Sequence, residues 1–265
     1  MNNLKKISSK EFQDFINFGV TEVIDINLGS KLLNLQNKIY EITKEMIEDH
    51  DPGISLIEKI RLPFKSTPNE QQWAKIMNEI NNCDELNQLL NSSEIKEKFK
   101  LIFNNPKKYE ICTFRARYPS QKRVVYNWHQ DEGTWYLTKN SDLLKKFTAT
   151  MWLSVNGSDE TNSIQIVKNS HLKKKLYNHS FIKGQGYFKA KINQNDVDTN
   201  NIVKVQTKPS QAIIFHPLTL HRSSPTNNQI DLRPRYSIDI RYYDIEKKLN
   251  YSTNFLFNLK KFFKL

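Results

Sequence analysis

Hydrophobic positions recur at helical spacing through roughly the first hundred residues and at strand spacing through most of the remaining chain. In SKLLNLQNKIYEITKEMIEDH, residues 30–50, Leu32, Leu35, Ile39, Ile42 and Met46 fall on one face of a helix, and DPG at 51–53 stops it. Ser8-x-x-Glu11 has the form of a capping box opening KEFQDFINF. NEQQWAKIMNEI and NSSEIKEKFKLIF continue the helical pattern, and Pro106 closes the region. From about residue 109 the texture changes to short β-branched and aromatic runs bounded by Asn, Gly, Ser and Pro: YEICTFRARY, RVVYNWH, FTATMWLSV, SIQIVK, IVKVQT, QAIIFH and RYSIDIRYY. Such runs predict an antiparallel sandwich or barrel. The reading is a single domain of the α+β class with a mainly β core: helices over 1–108, the β core over 109–245, and an amphipathic helix over 246–265. That last segment carries Phe255, Leu256, Leu259, Phe262 and Phe263 on one face with lysines opposite, and is expected to dock on the protein's own sheet.

Composition narrows this picture only a little. At 265 residues, 38% of them hydrophobic, the chain has material for one sizeable core. No apolar run approaches the ~20 residues that span a bilayer, and the first residues lack the apolar region of a signal peptide. Two cysteines without motif spacing, Cys83 and Cys112, suit a reducing cytoplasm and supply no thiolate metal site. The net charge of +12 invites a nucleic-acid or membrane partner. Only 8 of the 40 basic residues are arginine, however, and asparagine is abundant, which favours a compositional bias over a phosphate-binding surface.

Candidate chemistry begins in VVYNWHQD. Strand alternation puts Val125, Asn127, His129 and Asp131 on one face, and two metal-capable groups one strand period apart can chelate one ion. Among the other histidines, His50 follows a helix, His171 reads as a turn residue, His179 lies in a lysine-rich loop and His216 reads as a structural histidine behind AIIF. His221, at the end of an apolar run, is the third ligand candidate. In RPRYSIDIRYY, alternation places Arg235, Ser237, Asp239 and Arg241 on one face, where Arg235 and Ser237 form a receiver for a carboxylate. Arg241 with Asp239 reads as an internal ion pair. Two histidines and a carboxylate leave three metal positions open, the facial triad of non-heme Fe(II) oxygenases. A carboxylate-binding arginine close by is what 2-oxoglutarate requires.

With these motifs in place the sequence resembles the phytanoyl-CoA dioxygenase-like family of Fe(II)/2-oxoglutarate oxygenases, over about residues 110–243 and loosely over the helical start. The resemblance rests on WHQDEGTW, on TATMWLSVNGSDETNSIQIVKNSHLKK and on AIIFHPLTLHRSSPTNNQIDLRPRYSIDIRY. Asn162 and Asn169 stand where the family usually has glycine, and Lys168 where it has proline. The resemblance implies a double-stranded β-helix with helices packed on one side. It also implies Fe(II) on His129, Asp131 and His221, and 2-oxoglutarate on Arg235 with Ser237 assisting and Trp152 alongside. Arg233 is a rival for Arg235. The implied reaction consumes O2 and 2-oxoglutarate and releases succinate and CO2; because Asp131 is present, hydroxylation is expected rather than halogenation. Gln130 and Asn127 are candidates to orient the ligands.

Substrate identity is the least legible. Arg115 and Arg117, on one face of FRARY, with Trp135 in an entry loop, point to a small, polar or anionic metabolite. Two alternatives compete. Arg235-x5-Arg241 matches the spacing of AlkB-type nucleic-acid demethylases, although the stretch from Asp131 to His221 is long for that group. The other is a β-barrel binding protein without catalysis.

Overall fold

The computed structural model describes residues 9–48, 51–66, 68–110, 112–117, 127–137, 146–182, 187–190, 192, 195, 197–224 and 233–248. Seven α-helices are described: α1 (Lys10–Phe18), α2 (Ser30–Thr43), α3 (Leu56–Lys59), α4 (Glu70–Asn81), α5 (Asp84–Leu90), α6 (Ser93–Phe99) and α7 (Asp131–Leu137). The strands are β1 (Ile24–Asp25), β2 (Pro106–Lys108), β3 (Thr113–Arg117), β4 (Lys146–Ser154), β5 (Ile164–Val167), β6 (His179–Ile182), β7 (Tyr187–Ala190), β8 (Ile202–Val205), β9 (Gln211–Phe215), β10 (His221–Ser223) and β11 (Arg235–Lys248).

Local chemistry sets the helix ends. The cap of α1 is Ser9, one residue later than the sequence pattern suggested; its hydroxyl accepts from Phe12 N–H. Gly19 ends that helix at φ 78°, a left-handed conformation that glycine adopts without strain. Reciprocal capping boxes, Ser55 with Glu58 and Asn69 with Gln72, start α3 and α4. Helix α2 stops at Thr43 and tightens into a 3-10 turn over Lys44–Met46, short of the boundary expected at DPG.

Two antiparallel sheets make the β core. The larger has the order β1-β9-β4-β11-β2, with β3 also pairing β11; the smaller is β10-β5-β8. Successive β11 residues therefore serve two faces. Tyr236, Ile238, Ile240 and Tyr242 join Met151, Leu153, Ile214 and Phe114 in the core that the helices cover, where Leu35, Ile39, Phe99 and Phe103 pack. Trp152, Ile213 and Phe215 on the opposite face meet Ile164, Ile166 and Val205 of the smaller sheet. This is the double-stranded β-helix with helices on one side. β6 and β7 form a separate hairpin.

Three sequence expectations change. Residues 246–248 continue β11, because Lys248 still pairs Lys146 past an irregularity after Asp244, so the strand runs beyond the boundary at 245; residues 249–265 lie outside those described. Large-sheet strands also occur before residue 109, at β1 and β2. Of the two asparagines, Asn169 is left-handed at φ 64°, while Asn162 is not, and its side chain instead accepts from Asp159 N–H.

Candidate metal and cosubstrate site

His129, Asp131 and His221 each bring one ligand atom to within 4.8 Å of the others. They do so by a route other than the one that strand alternation predicts. His129 is held by an isolated antiparallel bridge to His221, with N–H to carbonyl bonds of 3.0 and 3.1 Å in the two directions. The chain then turns at once into α7, of which Asp131 is the first residue; residues 124–126 lie outside those described. Gln130 closes the turn, its carbonyl accepting from Gly133 and Thr134 N–H. The pair thus converges through a bridge and a helix start, so the expected common strand face for 125–131 is not what brings the ligands together.

Hydrogen bonds fix which ring nitrogen each histidine offers. His129 Nδ1 lies 2.8 Å from Asn127 O, and His221 Nδ1 lies 3.0 Å from Thr219 O. A carbonyl only accepts, so each Nδ1 carries a proton, which leaves Nε2 as the nitrogen each ring can offer a metal. Burial first, then the neighbouring His221, holds His129 well below the usual 6.5, so it stays neutral.

Asp131 is anchored from the large sheet. Its Oδ2 accepts from Thr150 Oγ1 at 2.5 Å and lies 3.6 Å from Arg241 Nε. Burial alone would raise its pKa, but Arg241, His221, His129 and the Thr150 hydroxyl outweigh it and bring the value down to about 2. The carboxylate is therefore ionised at any physiological pH.

The expected carboxylate receiver lies on the inner face of β11. The Arg235 guanidinium carbon sits 5.3 Å from the centroid of the Trp152 ring, and Ser237 is fully buried. Ser237 Oγ has no hydrogen-bond partner among the described residues. Arg233, the rival, is half exposed and lies 3.7 Å from Asp159.

Arg115 and Arg117 pair in register with Ser237 and Arg235 and share their face, as read from FRARY. Arg115 donates to Asp239 Oδ2 at 3.0 Å; Arg117 is wholly buried and reaches Ser163 O at 3.4 Å. Trp135 lies within α7, and its side chain is outside those described.

Two contacts had no signal in the sequence. Gln130, weighed as an orienting residue or an exposed one, is fully buried. Its backbone N–H donates to His179 Nε2 at 2.9 Å, so the histidine read as a loop residue packs beneath the ligand turn. Arg241, read as the partner of Asp239, meets Asp131 as well. His216 keeps its expected structural role, accepting from Leu218 N–H at 3.1 Å.

A sequence model of the family described as phytanoyl-CoA dioxygenase (PhyH) matches residues 54–233. No curated protein matches the chain. Among solved structures, EvdO2 from Micromonospora carbonacea var. aurantiaca, complexed with 2-oxoglutarate, gives a TM-score of 0.58 at 14% identity, covering 97% of this chain and 98% of that one. EctD from S. alaskensis in its apoform gives 0.56 at 14% identity, over 92% and 79% of the two chains. The epimerase SnoN in complex with Fe3+, alpha ketoglutarate and nogalamycin RO gives 0.53 at 12% identity, over 91% and 83%. At such identities the likeness is one of fold.

Proposed function

The chain belongs to the phytanoyl-CoA dioxygenase family, and from that premise we propose that it is an Fe(II)- and 2-oxoglutarate-dependent oxygenase that hydroxylates a C–H bond of a small anionic metabolite. The observation that carries the proposal is the convergence of His129, Asp131 and His221 donor atoms within 4.8 Å, above an inner face bearing Arg235 and Ser237.

The donor set fits iron(II). Two imidazoles that can each offer Nε2 and one ionised carboxylate leave three coordination positions open. The site also fits a dicarboxylate cosubstrate. Ser237 Oγ is a buried hydroxyl orphaned among the described residues, and a hydroxyl in that state is costly unless a ligand answers it. Arg235 and Ser237 would take the distal carboxylate of 2-oxoglutarate, with Trp152 limiting the guanidinium's freedom. When bound, iron(II) with 2-oxoglutarate and O2 supplies the oxidant for C–H cleavage, with succinate and CO2 as by-products.

The protein's own contribution is placement and exclusion of water. Ile213, Phe215, Ile166 and Val205 line the space between the sheets, and the His221 ring packs on Phe215 at 4.6 Å between centroids. The inner faces of β3 and β11 carry four guanidiniums, on Arg115, Arg117, Arg235 and Arg241. Guanidiniums gathered on one inner face favour an anionic substrate. Both cysteines, Cys83 and Cys112, are free, in keeping with a reducing cytoplasm as the place of action. Among the described residues no helix is long and apolar enough to cross a membrane.

The test is succinate formation from 2-oxoglutarate by anaerobically prepared, Fe(II)-loaded protein after admission of air, with 2-oxoglutarate binding measured calorimetrically in the same samples. His129→Ala is expected to abolish iron binding and turnover, and Arg235→Ala to abolish cosubstrate binding while iron is retained. Wild-type protein that binds neither iron nor 2-oxoglutarate would sink the proposal.

A further inference from the structure

The two oxygens of Asp131 stand in different surroundings. Oδ1 faces the imidazoles, 3.6 Å from His221 Nε2. Oδ2 faces the large sheet, bonded to Thr150 Oγ1 at 2.5 Å and 3.6 Å from Arg241 Nε. Thr150 and Arg241 are direct cross-strand partners on β4 and β11, so both groups come from one rigid position. Arg241 is itself tied down: its Nη2 lies 3.9 Å from Asp239 Oδ2, the same oxygen that accepts from Arg115 Nε at 3.0 Å. Asp131, Arg241, Asp239 and Arg115 therefore form a row of alternating charge along the inner face.

We propose that Arg241 and Thr150 are positioning residues that hold Asp131 as a one-oxygen metal ligand. The inference rests on the metal-site reading and extends it to residues outside the triad. A carboxylate with both oxygens at liberty can rotate to bind through two, which would close one of the three positions that cosubstrate and oxygen need. Engaging Oδ2 from the sheet prevents the rotation and leaves Oδ1 for the ion. Thr150 supplies direction through a short hydrogen bond, and Arg241 supplies charge that keeps Oδ2 turned to the sheet. Asp239 offsets part of that charge, so the guanidinium orients the ligand without drawing it off the metal.

Co(II) in place of Fe(II) tests this without turnover, because its visible ligand-field spectrum reports coordination number and its affinity can be read by chelator competition. Thr150→Val and Arg241→Met are each expected to change the Co(II) spectrum and weaken Co(II) binding by about ten- to a hundred-fold. Thr150→Ser, which keeps the hydroxyl, is expected to restore the wild-type spectrum, and Arg233→Ala, at a half-exposed position, to leave both readouts alone. Should Arg241→Met fail to fold, the Thr150→Val and Thr150→Ser pair still decides. Folded Thr150→Val protein with the wild-type spectrum and affinity would overturn the positioning role and leave the triad standing. A wild-type protein that binds no Co(II) would instead remove the metal-site reading itself.

Discussion

Replacing Gln130 by alanine takes three hydrogen bonds out of a fully buried position at once. The amide Nε2 donates to Lys175 O at 2.9 Å and Leu218 O at 2.8 Å, and Oε1 accepts from Tyr177 N–H at 2.9 Å. All three partners are main-chain groups, which the truncation leaves behind. A buried group stripped of its partner costs ~1–3 kcal/mol. Taking the low end for each, since water enters part of the space, gives a loss of about 3 kcal/mol. Set against a typical domain stability of ~5–15 kcal/mol, that is a large fraction. It corresponds to a fall in Tm of about 6–12 °C for a chain of this size. Urea unfolding and a thermal scan measure it directly. Because Gln130 lies between His129 and Asp131, Co(II) affinity should fall in the same variant. Gln130→Glu sharpens the test: it keeps the volume and the Oε1 acceptor but faces two carbonyls with an oxygen. It should be as unstable as alanine near neutral pH and recover in part as acid protonates the new carboxyl, whose single O–H can answer one of the two carbonyls. A Gln130→Ala protein within ~0.5 kcal/mol of wild type, the range of ordinary surface changes, would refute this account of how the ligand turn is held.

Ser237→Ala should leave stability unchanged or raise it by up to ~1 kcal/mol, since it deletes a buried hydroxyl lacking a partner among the described residues, while calorimetry should show 2-oxoglutarate binding about ten-fold weaker. Ile240→Ala, at a fully buried position on the helix-facing side of β11, should cost ~2–5 kcal/mol in urea unfolding, with no change in cosubstrate affinity because the side chain points away from Asp239 and Arg241. Burial, then His171, pushes His216 down to about 3 from the ordinary 6.5. The unfolded chain thus binds a proton there that the folded one refuses, so stability holds above pH 6.5 and falls by ~1.4 kcal/mol per pH unit on acidification through the window down to about 3. His216→Phe should flatten the measured slope by one proton, and an unchanged slope would contradict the assignment.

Range along the chain separates the features that were legible in the sequence from those that were not. RYSIDIRYY was readable because its two faces carry opposite chemistry, apolar toward the helices and charged toward the other sheet, and period-two alternation separates them without knowledge of partners. His129 and Asp131 were legible as candidate ligands but not as geometry, since a helix beginning at Asp131 replaces the strand and DEGTWYL, with Gly133 inside, is a poor helix signal. The reason for that glycine lies elsewhere in the chain: the His179 ring fills the space that a Cβ would need. Thr150 and Arg241 reach Asp131 only because α7 starts over that point of the large sheet, a placement to which no spacing along the chain corresponds. Cap position and helix length slipped by a few residues for an ordinary reason, competition between neighbouring serines and gradual tightening at a helix end.

The bridge between His129 and His221 makes the two imidazoles main-chain partners as well as neighbours. Their shared position exists only after the smaller sheet has closed onto the turn before α7, one of the later kinds of contact for a chain to make because its ends are far apart in sequence. A nascent chain that has not yet emitted β10 holds His129 and Asp131 but lacks His221, leaving one imidazole and one carboxylate of the three-ligand set. Loading of a redox-active ion would thus be confined to finished molecules. An ion that binds only the closed barrel also shifts the folding balance toward it, so that iron supply would govern how long the protein survives in the cell as well as how fast it works.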